Sequence, residues 1–192
     1  MADNTDARAR RTRAKLVAAF HEVVRDTDPD EISVSALTRA AGVNRTSFYA
    51  HFSSPEDLAV HALGDLLDVV SSADIVARSE RTLTAEQASR RALREIVDFV
   101  WDRRASYARL LGPAAPARLS LAVTDAFADH AARSLERMPH RPADADPVLA
   151  ARFVAAGVLH VVGRWLAEPQ HWSRDRLVTA LLHCLPAWIT TD

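Results

Sequence analysis

Residues 32–58 read ISVSALTRAAGVNRTSFYAHFSSPEDL, and this stretch decides the fold of the N-terminal quarter of the chain. Ser33 suits the N-cap of a helix. The apolar side chains that follow it recur at helical spacing: Val34, Leu37, Ala40 and Ala41. The pattern predicts a helix over residues 34–41. Gly42 comes directly afterwards and supplies the positive φ that closes a helix.

A second short helix is predicted immediately after this glycine. Asn44 can cap a helix over residues 45–51. Phe48 and Phe52 lie four residues apart on one face, which suits attachment to a core. Polar side chains of the same segment point elsewhere: Arg45, Thr46, Ser47, Tyr49 and His51. Two short helices joined by a glycine turn predict a helix-turn-helix that reads DNA.

The same residues resemble the signature of the TetR/AcrR family of bacterial one-component repressors. The matching elements are Leu37, Ala41-Gly42-Val43, Phe48-Tyr49, His51-Phe52 and Glu56-Asp57-Leu58. The resemblance implies an all-α chain with a three-helix DNA-binding domain at residues 1–53 and a helical bundle at residues 54–192. It also implies a repressor that leaves its operator when a small molecule binds, and a homodimer paired through its last two long helices.

Pro55 departs from the family pattern, which commonly has a lysine before the glutamate of the next helix, where it meets a phosphate. Proline starts a helix well, and Ser54 with Asp57 predicts a capping box around it. Proline supplies no cation, however. We therefore expect a basic arm further upstream to replace the missing contact: Arg8, Arg10, Arg11, Arg13 and Lys15.

Helix geometry assigns a DNA-binding role to each exposed candidate. The first turn of a recognition helix reaches deepest into the major groove, so we expect Arg45 and Thr46 to meet base edges and Tyr49 to meet a base or the sugar-phosphate surface. The other DNA-binding candidates are Ser33, Ser35, Ser47, His51, Arg11 and Arg13. All of them except Ser35 are expected to contact phosphates. Two such helices in a dimer would enter successive major grooves, which predicts an approximately palindromic operator of double-stranded DNA.

Composition limits the other possibilities. The chain has 192 residues and a net charge of −1, so DNA binding must come from a local patch rather than a global basic field. Residues 8–15 supply five cations and no acid. By itself, such a run would indicate a solvated helix face. Beside a helix-turn-helix, it favours contacts with phosphates. Cys184 is the one cysteine, so no disulfide can form within the chain, which fits a reducing cytoplasm. Its leucine neighbours predict that its side chain is buried. The polar N-terminus has no apolar run of 7–15 residues, and no segment approaches 18 continuous apolar residues, so we expect neither secretion nor a membrane span.

The rest of the chain reads as helices. Residues 1–7 are predicted as a polar tail, and apolar periodicity predicts helices over residues 8–27, 55–78, 85–104, 105–111, 116–138, 147–167 and 174–189. Thr84 with Gln87 predicts a capping box. The last two helices are apolar on more than one face, so each needs a second cover besides its own domain. A homodimer interface there supplies it.

Six side chains of the bundle are candidates for an effector cavity: Trp101, Tyr107, Phe127, Phe153, His160 and Trp165. Core filling and cavity lining both remain open for each of them. The spacing of histidine and cysteine matches no metal site, no cofactor is expected, and no nucleophile motif predicts catalysis. The alternative function is a helical small-molecule-binding protein or enzyme in which the helix-turn-helix is structural.

Overall fold

A computed structural model of the chain describes residues 2–27, 31–64, 83–138 and 141–191. Within these ranges every regular element is a helix, as the sequence predicts. The ten α-helices are α1 Ala2–Asp26, α2 Val34–Ala41, α3 Arg45–Tyr49, α4 Pro55–Ala62, α5 Ala85–Asp102, α6 Arg104–Leu111, α7 Ala117–Glu136, α8 Pro147–Ala167, α9 Arg174–His183 and α10 Ala187–Thr190.

Helix α1 packs over α2 and α4 and completes the N-terminal domain. Leu16, Phe20 and Val24 of α1 are fully buried, at the helical spacing that the sequence predicts. The helix begins at Ala2, so the predicted tail over residues 1–7 is wrong. Residues 2–7 contain no glycine or proline to stop the helix, and alanine favours its extension.

Helix α4 begins as predicted, with Pro55 in its first turn and the Ser54 hydroxyl accepting a bond from the Asp57 N–H at 3.2 Å. The capping box itself is wrong in detail. The Asp57 carboxylate accepts bonds from the N–H and hydroxyl of Ser53, at 2.8 and 3.1 Å, and not from the Ser54 N–H. Most of the predicted continuation of this helix toward residue 78 lies outside the described residues.

The bundle is built around the pair α7 and α8, which pack along each other, while α5 packs against α9 and α10. The predicted capping box at the start of α5 is confirmed. The Thr84 hydroxyl accepts from the Gln87 N–H at 3.3 Å, and the Gln87 side chain accepts from the Thr84 N–H at 3.0 Å. Helix α6 lies between α1 and α8, so it connects the two halves of the molecule.

A glycine makes the close contact between α6 and α8 possible. A Cβ on Gly163 of α8 would collide with the backbone carbonyl of Leu111, the last residue of α6. Gly112 follows, and a Cβ there would collide with the carbonyl of Ala108. Any other residue at position 163 therefore has to push α6 away from α8.

The C-terminal prediction needs two corrections. The helix predicted over residues 174–189 is two helices, α9 and the short α10, because Pro186 lacks the N–H that a continuing helix would need. Cys184, expected to be buried, is exposed. It follows the last residue of α9, while Leu181 and Leu182 of that helix face the core.

Helix α8 keeps its predicted bounds and is apolar on more than one side. Of the described helices, it is the one whose length and composition would allow it to cross a membrane, with a mean hydropathy of 1.4 over its best window. Part of that window, 39%, is buried inside the fold. Core helices of soluble proteins pass the same test, so the finding is weak evidence for a span.

Candidate nucleic-acid interface and effector cavity

The turn between α2 and α3 has the hydrogen bonds that the sequence predicts. The Ser33 hydroxyl accepts from the Ala36 N–H at 3.3 Å and caps α2. Gly42 has φ +63° and ends the helix, with its N–H on the Arg39 carbonyl at 3.3 Å. The Asn44 side chain accepts from the Ser47 N–H at 2.7 Å and caps α3.

Two aromatic rings attach α3 to the core of the domain. Phe48 is fully buried and Phe52 almost so, with ring centroids 6.0 Å apart. The Tyr49 ring meets the edge of Phe48 at 5.5 Å, yet its side chain stays 53% exposed. Helix α3 ends at Tyr49 rather than at residue 51. In α2, Leu37 of the predicted apolar stripe is buried, whereas Ala40 of the same stripe faces solvent.

The predicted DNA-binding side chains lie at the surface. Arg45, Thr46 and Tyr49 are exposed on α3, and Ser47 and His51 are half-buried beside them. The serines of α2 and the arginines of α1 are exposed as well: Ser33, Ser35, Arg11 and Arg13. One rigid element, fixed by its aromatic pair and its cap, thus presents an arginine, a threonine and a tyrosine to solvent.

Sequence reasoning missed the contacts that hold the DNA-binding domain to the bundle. The Ser106 hydroxyl and the Arg109 guanidinium of α6 donate to the carbonyls of His21 and Thr27 at the end of α1, at 3.3 and 2.8 Å. Arg118 of α7 donates to the Ile32 carbonyl at 3.0 Å. These acceptors are backbone atoms, so their side chains carry no signal in the sequence. Only the folded structure reveals these hydrogen bonds.

A small apolar cavity lies between α4, α5, α6, α7 and α8. Seven residues line it: Leu63, Val100, Tyr107, Leu111, Val123, Phe127 and Leu159. Its volume is about 10 Å³, roughly the space of one water. Two of the six predicted cavity residues, Tyr107 and Phe127, are brought together here.

The other four predicted cavity residues lie elsewhere. Trp101 and Trp165 pack on each other with centroids 5.0 Å apart, and the Trp165 indole donates to the Trp172 carbonyl at 2.9 Å. Phe153 is 69% exposed and His160 is also exposed, so neither lines the cavity. Helix α8 is apolar on several sides, and its sequence pattern therefore could not show which of them faces inward.

Among the described residues, no three histidine, cysteine, aspartate or glutamate side chains come together as a metal site would require. The guanidinium carbons of Arg104 and Arg174 lie 5.1 and 5.9 Å from the ring centroid of Trp101. Arg174 also pairs with Asp98 at 2.8 Å. The Arg174 contacts join α5 to α9 and the Arg104 contact joins α5 to α6, so they account for the aromatic and cationic cluster as packing.

Helices α2 and α3, joined at Gly42, have the arrangement of a helix-turn-helix, a motif typical of DNA-binding proteins. Residues 16–62 match the family model described as bacterial regulatory proteins, tetR family. The chain therefore has the DNA-binding domain of TetR-family transcriptional regulators, and the solved structures below share its overall fold. No curated protein sequence matches the chain.

The comparison with solved structures extends over nearly the whole chain. A TetR transcriptional regulator from Streptococcus agalactiae is 20% identical, with a TM-score of 0.61, and the match covers 96% of this chain and 99% of that one. The fatty acid degradation regulator FadR from Bacillus halodurans is 16% identical, with a TM-score of 0.60 and coverage of 90% and 93%. FadR from Thermus thermophilus, a repressor in complex with lauroyl-CoA, is 18% identical, with a TM-score of 0.60 and coverage of 89% and 91%.

Proposed function

We propose that this chain is a cytoplasmic, non-catalytic repressor that binds a palindromic operator as a homodimer and releases it when a small molecule binds. One observation carries the proposal. The buried pair Phe48 and Phe52 fixes α3 while Arg45, Thr46 and Tyr49 of the same short helix face solvent. A recognition helix needs this arrangement, because its free side chains must enter the major groove together.

The roles in DNA binding follow from position on the domain. Arg45 and Thr46 lie in the first turn of α3 and are proposed to read base edges, with Tyr49 at a base or sugar. Ser47 and His51 are proposed as phosphate contacts, together with Ser33 at the start of α2. Arg11 and Arg13, exposed on α1, supply the cations that Pro55 cannot. The role of Ser35 is open between base and phosphate.

A second copy of this chain is the proposed cover for the outer face of α8. Leu149 and Phe153 are 68% and 69% exposed, and Ala156, Gly157 and His160 continue the same face along the helix. Gly157 has open space where a Cβ would be, so another helix could approach closely. Large exposed apolar patches mark interaction sites. The face lies on one of the two helices through which the resemblance predicts dimerisation.

The proposed effector is an apolar or amphipathic small molecule that enters the cavity beside Tyr107 and Phe127. Its lining is aliphatic and aromatic, which favours hydrocarbon over charged groups. The cavity would have to expand to admit such a molecule, since ligand pockets normally hold about 300–1,000 Å³. The lauroyl-CoA bound by Thermus thermophilus FadR has an acyl chain of this chemistry. Lauroyl-CoA and free dodecanoate are therefore suitable first probes in native mass spectrometry.

DNA binding is tested with duplexes that the wild-type protein selects from a random-sequence pool. We expect a palindrome, and Arg45→Ala should bind it with about 5- to 150-fold lower affinity and relaxed preference at one position per half-site. Arg133→Ala removes an equally exposed arginine from α7 and is the matched control. An Arg11/Arg13 double alanine variant should flatten the salt dependence by about 0.9 for each ionic interaction with phosphate that it removes. Selection of no sequence, together with ligand binding or turnover, would favour the rival function.

A further inference from the structure

One guanidinium in the bundle contacts the helix-turn-helix on both sides. Arg118, in the first turn of α7, donates to the carbonyl of Ile32 at 3.0 Å and lies 3.3 Å from a carboxylate oxygen of Glu56. Ile32 directly precedes the N-cap of α2, and Glu56 is in the first turn of α4. The chain between these contacts is the helix-turn-helix, residues 33–54. Arg118 therefore brackets the DNA-reading segment at its entry and its exit.

The surroundings make this contact stronger than an ordinary surface ion pair. The Arg118 side chain is half exposed, but Glu56 keeps only 23% of its surface and Ile32 is buried. Exposed pairs contribute little because water and salt screen them, whereas hydrogen bonds from a charged group to a partly buried acceptor are stronger. Removal of the Arg118 guanidinium would leave both the carbonyl and the carboxylate without this donor.

We propose that Arg118 is a positioning residue for the DNA reader: it fixes the orientation of the DNA-binding domain relative to the bundle and so supports operator binding. The effect on operator binding rests on the proposed function, but the holding role does not. It concerns only how the DNA-binding domain is held relative to the bundle.

The holding role is tested by an intramolecular distance, without DNA or effector. Labels are attached to Arg39→Cys, at the end of α2, and Glu136→Cys, at the end of α7, in a Cys184→Ser background; all three side chains are exposed. Doubly labelled chains are diluted into unlabelled protein, so that only distances within one chain are measured. We expect a narrow distribution for the parent and a broader or shifted one for Arg118→Gln. Glu56→Gln should give a smaller change in the same direction.

Arg94→Gln is the matched control, because it breaks an ion pair with Asp175 that joins α5 to α9 inside the bundle. It should leave the distance unchanged even if it lowers the melting temperature. Operator affinity is measured on the same proteins. Arg118→Gln should weaken operator binding about tenfold, within the roughly 5–150-fold range of common allosteric couplings, and Arg94→Gln should not. Equal distances and affinities in the two variants would overturn the role of Arg118. If the wild type selects no DNA yet Arg118→Gln changes the distance, the proposed function fails and the positioning role stands.

Discussion

The DNA-binding domain and the helical bundle are both all-α, but they differ in how far local sequence determines their surfaces. In the first, caps and a glycine lie within a few residues of the groups they position, as Asn44 does for α3. In the second, the outcome depends on which side of a long apolar helix meets its neighbours, as with Phe153 and Trp165 of α8. Local structure predicted from residue spacing therefore agrees with the fold in the first region, whereas in the second region the result depends on tertiary packing.

The sharpest test of this difference is a pair of charges on α8. Val158 is buried in its own subunit, so Val158→Glu should cost about 5 kcal/mol as an unpaired buried charge and abolish a cooperative unfolding transition. Phe153→Glu places the same charge on the exposed face and should leave the subunit folded. Urea unfolding and sedimentation velocity check both variants.

The pair also refines the expectation from the sequence that the last two long helices form a dimer interface, an expectation that would make Val158 of α8 and Leu181 of α9 candidates for that interface. Both side chains are buried within the subunit, so glutamate there would report on folding rather than assembly. Phe153→Glu is the informative variant. We expect a folded monomer with weakened operator binding, because each half-site alone holds its reader weakly. A Phe153→Glu protein that remains a dimer would put the interface elsewhere.

Two glycines of α8 make a second comparison. Gly163→Ala would push a methyl into the Leu111 carbonyl of α6 and should cost roughly 4 kcal/mol or more in the free energy of unfolding. Gly157→Ala meets nothing within 4 Å in the subunit and should keep or slightly raise its stability. Any deficit of Gly157→Ala should appear in self-association, measured by sedimentation. Equal free energies of unfolding for the two variants would show that α6 can move away from α8 without a loss of stability.

Sequence alone predicts the helices well, but it predicts less well which side of each helix faces the core. The bounds of α8 and the Thr84 and Gln87 box follow from proline, caps and periodicity, which act within one turn. The orientation of His160 and the exposure of Cys184 depend on neighbours distant in sequence, so periodicity could not decide them. The contact of Arg118 with Ile32 is a bond to a backbone carbonyl 86 residues away, and no residue pattern records it.

Two adjacent residues of α3 give a third comparison, inside the region whose local structure agrees with the prediction from residue spacing. Phe48→Ala should cost about 3–4 kcal/mol, because a fully buried ring leaves a cavity. Tyr49→Ala should change stability by less than about 0.5 kcal/mol, since its ring is exposed, and should weaken operator binding instead. Urea unfolding and DNA titration separate the two effects. A Tyr49→Ala protein with normal DNA affinity would remove Tyr49 from the reading surface.

The smallest expected effect concerns the end of α1, where the two regions meet. The Arg25 guanidinium donates to Asp26 at 2.7 Å and, with its charge, lowers the pKa of that carboxyl; Arg109 of α6 lowers it further. A lowered carboxyl pKa favours the folded state above the ordinary pKa of aspartate, and this contribution disappears as pH falls through the folded value. The Asp26 side chain is exposed, so the change in stability should be slight and sensitive to salt.

A carboxyl titration by NMR distinguishes the local from the tertiary cause. Arg25→Gln should raise the pKa of Asp26 most of the way to its ordinary value, and Arg109→Gln should raise it less, because the hydrogen bond from the neighbouring residue is the larger cause. The reverse order would mean that the bundle, through α6, controls this end of α1. Local sequence would then no longer explain the electrostatics of the DNA-binding domain, and the contrast between the two regions would break at their junction.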